Sequence, residues 1–220
     1  MSLTLDADFN VIKENGCILG LGERGCFDEH GVMPSSIIIE NVVYLFYTGW
    51  YVAKNSYTHS IGIAVSQNGK TFSRLFSHPI LARNEKIPYM ANSPFVFKTK
   101  DGYAMIFGNG TGWCGTKPLY SLMKATSTNL TNNWQILDWV QFEEGGIYSR
   151  CFVENNDIYY SYYNVHGNSN YKIYKNGILL LDTGVTWDQE MTAYPFIYKN
   201  ALFYNGNGYG KTGIGIAIRG

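Results

Sequence analysis

Short runs of large apolar residues alternate along this chain with polar, glycine-punctuated turns, and they do so in a repeating order. "YLFYTGW" from Tyr44 is followed by "SIGIAVS", and "ALFYNGN" from Ala201 by "TGIGIAI". Each pair is a strand of large residues, a polar turn, then a strand of small ones. Weaker copies lie between them, "YAMIFGNGTGW…YSLMKATS" from Tyr103 and "IYYSYYNVHG…YKIYKN" from Ile158. An apolar strand precedes every copy: "PSSIII" at Pro34, "SPFVFK" at Ser93, "SRCFVE" at Ser149 and "YPFIYK" at Tyr194. The first three copies run on into a fourth short strand, "TFSRLF", "NWQILD" and "ILLLD". Such runs predict strands, and helical periodicity is absent throughout. A four-stranded meander recurring at intervals of about 40–60 residues predicts the blades of a β-propeller. One unit cannot bury both of its faces, whereas stacking around an axis does.

The last copy stops at its third strand, "GIGIAI". The opening "SLTLDADFNVIKENGCIL" resembles "IGIAVSQNGKTFSRLFSHPIL", which makes it strands three and four of a blade without the first two. That piece either helps to close the ring or is the remnant of a longer first blade. The expectation is an all-β propeller, four recognisable blades plus a partial N-terminal one, in a single domain over residues 1–220. The closing "NGYGKT" imitates a phosphate-binding loop but lacks its frame. That motif needs a glycine five residues before the Gly of GKT and a helix behind it. Here the first position is Asn205, and the following "GIGIAI" reads as a strand. The stretch is predicted to be a turn between strands.

Composition narrows the function classes. Of 220 residues, 16% are aromatic and only 15% charged, and the formal net charge is zero. Without a run of Lys or Arg to neutralise phosphates, nucleic-acid binding is disfavoured. No apolar run approaches a bilayer span and the N-terminus lacks a signal-like pattern, so a cytoplasmic location is expected. Cys17, Cys26, Cys114 and Cys151 are scattered without a CxxC pair, which predicts reduced thiols and no structural zinc. No metal or cofactor is expected.

First strands of a propeller line its axis, so the residues before and within them are the candidates for chemistry. "CFDEHGVMPSS" supplies Asp28, His30 and Ser35; "YMANSPF" supplies Asn92; "FEEGGIYSRC" supplies Glu144 and Arg150; "TWDQEMTAYP" supplies Asp188, Glu190 and Tyr194. Trp50 and Trp113 stand at matching places after second strands, His166 lies in "NVHGNSN", and Asn205 and Asn207 lie in the closing turn. Carboxylates recurring at one rim beside aromatic rings are what recognition or hydrolysis of a sugar requires: one carboxyl protonates the leaving oxygen and another activates water. Each residue also has a plainer role to be weighed against this. A carboxylate ahead of a strand is ordinarily a turn residue, Arg150 can neutralise a neighbouring Glu, and tryptophans pack between blades.

"FDEHGVMPSSIII…VYLFYTGW", "IGIAVSQNGKTFSR" and "WDQEMTAYPFIY…LFYNGNGYGKTGIGIA" resemble the five-bladed furanosidase-like propeller glycosidases. These are glycoside hydrolase families 43, 32, 62 and 68, with the family 130 phosphorylases nearby. The likeness runs from Leu3 onward and is closest to a family-43-like subgroup associated with bacterial surface-polysaccharide loci. It implies an acidic triad spread over the first three blades, from which this chain departs. The aspartate before the first strand is replaced by Met33, and the second-blade position reads Asn92-Ser93-Pro94. Glu144 matches the acid position, with Asp28 and Glu190 as substitutes for the missing carboxylates. Three readings follow: a glycoside hydrolase-like enzyme using Asp28, Glu144 and Glu190; a saccharide-binding propeller without catalysis; or a biosynthetic enzyme acting on an activated sugar. The expected partner is a saccharide or sugar-containing small molecule.

Overall fold

A computed structural model of the protein describes residues 2–54, 56–140, 146–165 and 170–218, with the backbone alone at 138 and 139. A hairpin of β1 (Ser2–Leu5) and β2 (Val11–Gly16) opens the chain. The first meander comprises β3 (Gly31–Ile39), β4 (Val43–Ala53), β5 (Ser56–Ser66) and β6 (Ser73–Arg74). The second comprises β7 (Ala91–Thr99), β8 (Gly102–Cys114), β9 (Lys117–Ser127) and β10 (Gln135–Val140). The third comprises β11 (Gly146–Glu154), β12 (Asp157–Asn164), β13 (Lys172–Lys175) and β14 (Ile178–Leu181). The last has three strands, β15 (Ala193–Tyr198), β16 (Ala201–Asn205) and β17 (Ile214–Ile218). Every meander is antiparallel. One parallel pair, Ile147 with Tyr120, joins the second and third into a continuous sheet. The predicted meanders are therefore all present. The "NGYGKT" stretch is the β16–β17 loop, where a single turn, α1 (Asn207–Gly210), carries Gly208 and Tyr209 at φ near +60°.

Alternation along each strand explains why the meanders stack. Met105 and Phe107 of β8 face the first meander and pack with Phe46, Ile61 and Ile63. Ile106, between them in sequence, faces the other way and packs with Tyr148 and Tyr160 of the third. Phe152 and Tyr159 then meet Ile197 and Leu202 of the last. Phe46 and Phe107 are fully buried, and each such ring contributes about 1.5–3 kcal/mol relative to exposure. The opening hairpin lies against the last meander, with Phe9 packed edge-on to Phe203 at 5.1 Å and Tyr198 at 6.3 Å. Among the described residues it does not join that sheet by strand pairing.

The four inner strands share an irregularity. Register slips between Pro34 and Ser36, Asn92 and Phe95, Ser149 and Cys151, and Ala193 and Phe196. These are β-bulges at one place in each meander, and a bulge turns a side chain out of the strand's alternation. Pro34, Pro94 and Pro195 fall in or beside them, which is where a strand tolerates proline. Ser93 and Tyr194 have φ of 49° and 59°, a conformation uncommon outside glycine. Side chains hold the bulges in place: the Thr48 hydroxyl accepts the Ser93 N–H at 2.8 Å, and the Ser161 hydroxyl accepts the Tyr194 N–H at 2.7 Å.

Candidate functional site

The bulges open onto a cavity of about 990 Å³. Two hairpins also reach it because they are longer than the core beneath them. β4 is buried through Gly49 and exposed from Trp50 onward, and β8 is buried through Gly110 and mostly exposed beyond. The overhanging ends carry an aromatic row: Tyr57 stacks on Trp50 at 6.3 Å and meets Trp113 edge-on at 5.3 Å. A second row comes from the third and last meanders. Tyr194 stacks on Tyr209 at 5.9 Å, Tyr209 meets Tyr171 at 6.0 Å, and Tyr171 meets Tyr163 at 5.8 Å.

Polar groups are set among these rings. His59 is 6% exposed, and burial lowers its pKa to about 4, so the ring is neutral near pH 7. Its Nδ1 is 3.4 Å from the amide nitrogen of Asn92, which only donates. Its Nε2 is buried without a partner among the described residues. Gly108 leaves the room that the Asn92 amide occupies, since a Cβ there would strike its oxygen. Burial raises the Tyr120 phenol well above its ordinary range, leaving it a neutral hydroxyl 3.5 Å from His59 Nδ1. Arg150 projects from the β11 bulge. Its Nη2 donates to the Pro34 carbonyl at 2.7 Å and its guanidinium lies 4.8 Å over the Tyr194 ring. Burial lowers its pKa, and its Nε has no partner among the described residues. Glu190 reaches the wall from the loop before β15. Its position is set by Asn207, whose side-chain oxygen accepts the N–H groups of Glu190 at 2.8 Å and Met191 at 3.1 Å.

Of the residues singled out from sequence, Trp50, Asn92, Arg150, Glu190, Tyr194 and Asn205 line this cavity. Trp113 touches it through Tyr57, and Asn207 supports Glu190 from behind. Glu144 and His166 lie outside the described residues. Asp28, His30, Ser35 and Asp188 are placed elsewhere. His30 is a turn residue that accepts the Val52 N–H at 3.2 Å, and the Ser35 hydroxyl turns back to the Met33 carbonyl at 3.4 Å.

The two aspartates have one shared role. Asp28 is 1% exposed and accepts from the Tyr47 hydroxyl at 3.0 Å and from Arg74 Nε at 2.6 Å. Asp188, also buried, accepts from the Tyr204 hydroxyl at 3.1 Å. The preceding ring stacks on the same tyrosine in each case, Phe27 on Tyr47 at 5.9 Å and Trp187 on Tyr204 at 5.5 Å. Each pins a loop to the second strand of its own meander, and neither faces Glu190 across the cavity.

Reading the sequence missed His59, Tyr57, Tyr120 and Lys117. Their signal was the length of the two hairpins, which carry residues that no core position needs. Among the described residues, no three His, Cys, Asp or Glu side chains gather as a metal site, and no helix is long and apolar enough to cross a membrane.

No model of a known protein family matches the chain. Two uncharacterized proteins of Mycobacterium tuberculosis, from strains CDC 1551 / Oshkosh and ATCC 25618 / H37Rv, are each 29% identical over 226 aligned positions. The alignment spans 91% of this chain and 75% of each relative. Among solved structures, a glycoside hydrolase superposes with a TM-score of 0.66 at 14% identity, covering 90% of this chain and 71% of that one. The endo-arabinase of Bacteroides thetaiotaomicron VPI-5482 gives 0.61 at 13% identity, covering 90% and 78%. The β-1,2-mannobiose phosphorylase of Listeria innocua, in complex with β-1,2-mannobiose, gives 0.57 at 13%, covering 86% and 72%. Identities this low establish the fold alone, which is that of the propeller glycoside hydrolases and phosphorylases.

Proposed function

We propose that the protein binds a saccharide in the aromatic cavity and acts on a glycosyl group by carboxylate chemistry. The observation that carries this reading is the lining: two rows of rings that suit the C–H faces of sugars, with hydroxyl, amide and imidazole groups between them and Glu190 at the wall. Glu190 is one carboxylate of the pair that glycosidic chemistry needs. Glu144 is the partner we assign, because it precedes β11 where the resembling hydrolases carry their acid. Asp28 has no part in it, being committed to Tyr47 and Arg74. An inverting reaction needs the carboxyls about 6.5–9.5 Å apart and a retaining one about 5–5.5 Å.

A second reading is favoured by the same ion pair. With the first-blade carboxylate withdrawn into the fold, the propeller binds sugar without turning it over. Glu190→Gln and Glu144→Gln, each assayed for turnover and for binding of a saccharide panel, separate the two. Loss of roughly 10²–10⁴-fold in rate with binding retained is expected for the enzyme. A wild type that binds and never turns over establishes the second reading. Turnover that survives both substitutions overturns the carboxylate assignment.

A further inference from the structure

The charge in the cavity is unusual for a neutral sugar. Arg150 stands at the β11 bulge with one nitrogen on a backbone carbonyl and its Nε buried and unpartnered among the described residues. None of the ion pairs among the described residues involves it. Lys117, on the β8–β9 hairpin, donates to the Tyr163 hydroxyl at 3.1 Å and also has no carboxylate partner among them. Glu190 is the one acidic side chain among the described lining residues.

Arg150 is half-buried and has no carboxylate partner among the described residues, which is unfavourable, whereas the half-buried Arg74 is given Asp28. A planar guanidinium lining the cavity matches the oxygens of a carboxylate or phosphate, and the ring beneath it fixes its plane. Tyr194 holds that ring from a left-handed backbone position at φ 59°, so the chain accepts local strain to place it there. We propose that the saccharide taken by this cavity carries an anionic group, a carboxylate or a phosphate, bound by Arg150 with Lys117 as the second positive contact. The sugar part of this inference rests on the reading above; the anionic part rests on Arg150.

The test is calorimetric titration of the full chain with matched trios of neutral hexose, hexuronate and hexose 1-phosphate in gluco, galacto and manno configurations, with inorganic pyrophosphate as a sugar-free anion. A charged ligand is expected to bind at least about tenfold more tightly than its neutral counterpart, with the preference weakening as salt rises. The uronate and phosphate arms identify which anion is meant. Arg150→Gln should remove the preference, and Lys117→Gln, at an exposed residue, should reduce it about threefold to tenfold with the melting temperature unchanged.

Equal binding of neutral and charged sugars overturns the proposal, as does a preference that survives Arg150→Gln. If Arg150→Gln does not fold, the Lys117→Gln titration and the salt dependence decide. Pyrophosphate binding that needs Arg150, with no sugar bound, keeps the anion site and defeats the saccharide reading. Binding of nothing in the panel defeats both.

Discussion

Replacing Asp28 separates a structural carboxylate from a catalytic one. Asp28→Asn preserves volume and leaves an oxygen for the Tyr47 hydroxyl, but it removes the charge that Arg74 Nε meets at 2.6 Å. A hydrogen bond to a charged group contributes about 1.5–3 kcal/mol net. Arg74, whose side chain is 23% exposed, keeps its bond to the Gly20 carbonyl at 2.7 Å and rehydrates in part, which places the loss at about 2 kcal/mol. At about 2–4 °C per kcal/mol for a domain of this length, the melting temperature should fall by about 4–8 °C. Asp28→Ala also strips the Tyr47 hydroxyl, and the loss grows to about 3–5 kcal/mol, as for a buried pair deprived of one member. Asp188→Asn is the internal control. Asp188 serves the Tyr204 phenol without a partnering arginine among the described residues, so the cost is about 1 kcal/mol. Thermal and urea unfolding at pH 7 measure these losses, and saccharide titration of the folded protein measures function. The assignment fails if Asp28→Asn melts like the wild type and yet loses binding or turnover.

The remaining expectations are more local. His59 has a depressed pKa of about 4 against an unfolded value near 6.5, so between those pH values the unfolded chain binds more protons and stability falls as pH falls. Unfolding free energies from urea titrations at pH 7 and 4.5 should differ by about 2 kcal/mol more in the wild type than in His59→Gln. In the native protein, iodoacetamide should label exposed Cys17 and Cys114 while Cys151, buried and with its thiol pushed up to about 12, reacts only on unfolding; early labelling of Cys151 would contradict its packing. Gly62→Ala should cost about 1–3 kcal/mol, because the new methyl would meet the Tyr47 and Phe27 rings; an unchanged urea midpoint would show that this layer can yield.

Strand content and order were legible because they rest on local pattern. Each meander repeats a strand of large residues and a strand of small ones, and that repetition survives without any knowledge of contacts. The bulges were half legible. Proline within "PSSIII", "SPFVFK" and "YPFIYK" sits uneasily in an inner strand, and its tolerance there is a sign of a bulge. What local pattern lacked was the direction a bulged side chain takes. Ser35 and Arg150 both fall within the register slips of their strands, yet one hydroxyl turns back on its own backbone while the guanidinium enters the cavity. His59 and Lys117 left only the length of their hairpins as a signal, for a different reason. Their role depends on how far two hairpins overrun the core, which is a property of packing between meanders.

The recurrence of Asp28 and Asp188 ahead of inner strands has a physical explanation in the fold itself. In the first and last meanders a loop is pinned to the second strand, and an aromatic–aspartate pair does this with a tyrosine. Phe27-Asp28 with Tyr47 and Trp187-Asp188 with Tyr204 are two solutions of that one problem. Their glycines match as well, Gly49 and Gly62 making room for Phe27 as Gly206 and Gly215 do for Trp187. A ligand on the axis imposes no such symmetry, because a sugar presents different groups to each blade. The charged and imidazole groups that meet it should therefore occur once: Arg150 on one inner strand, Glu190 before another, His59 and Lys117 on two different hairpins. In this fold the repeated aromatic–aspartate pairs serve the framework, while the charged groups lining the cavity break the repetition.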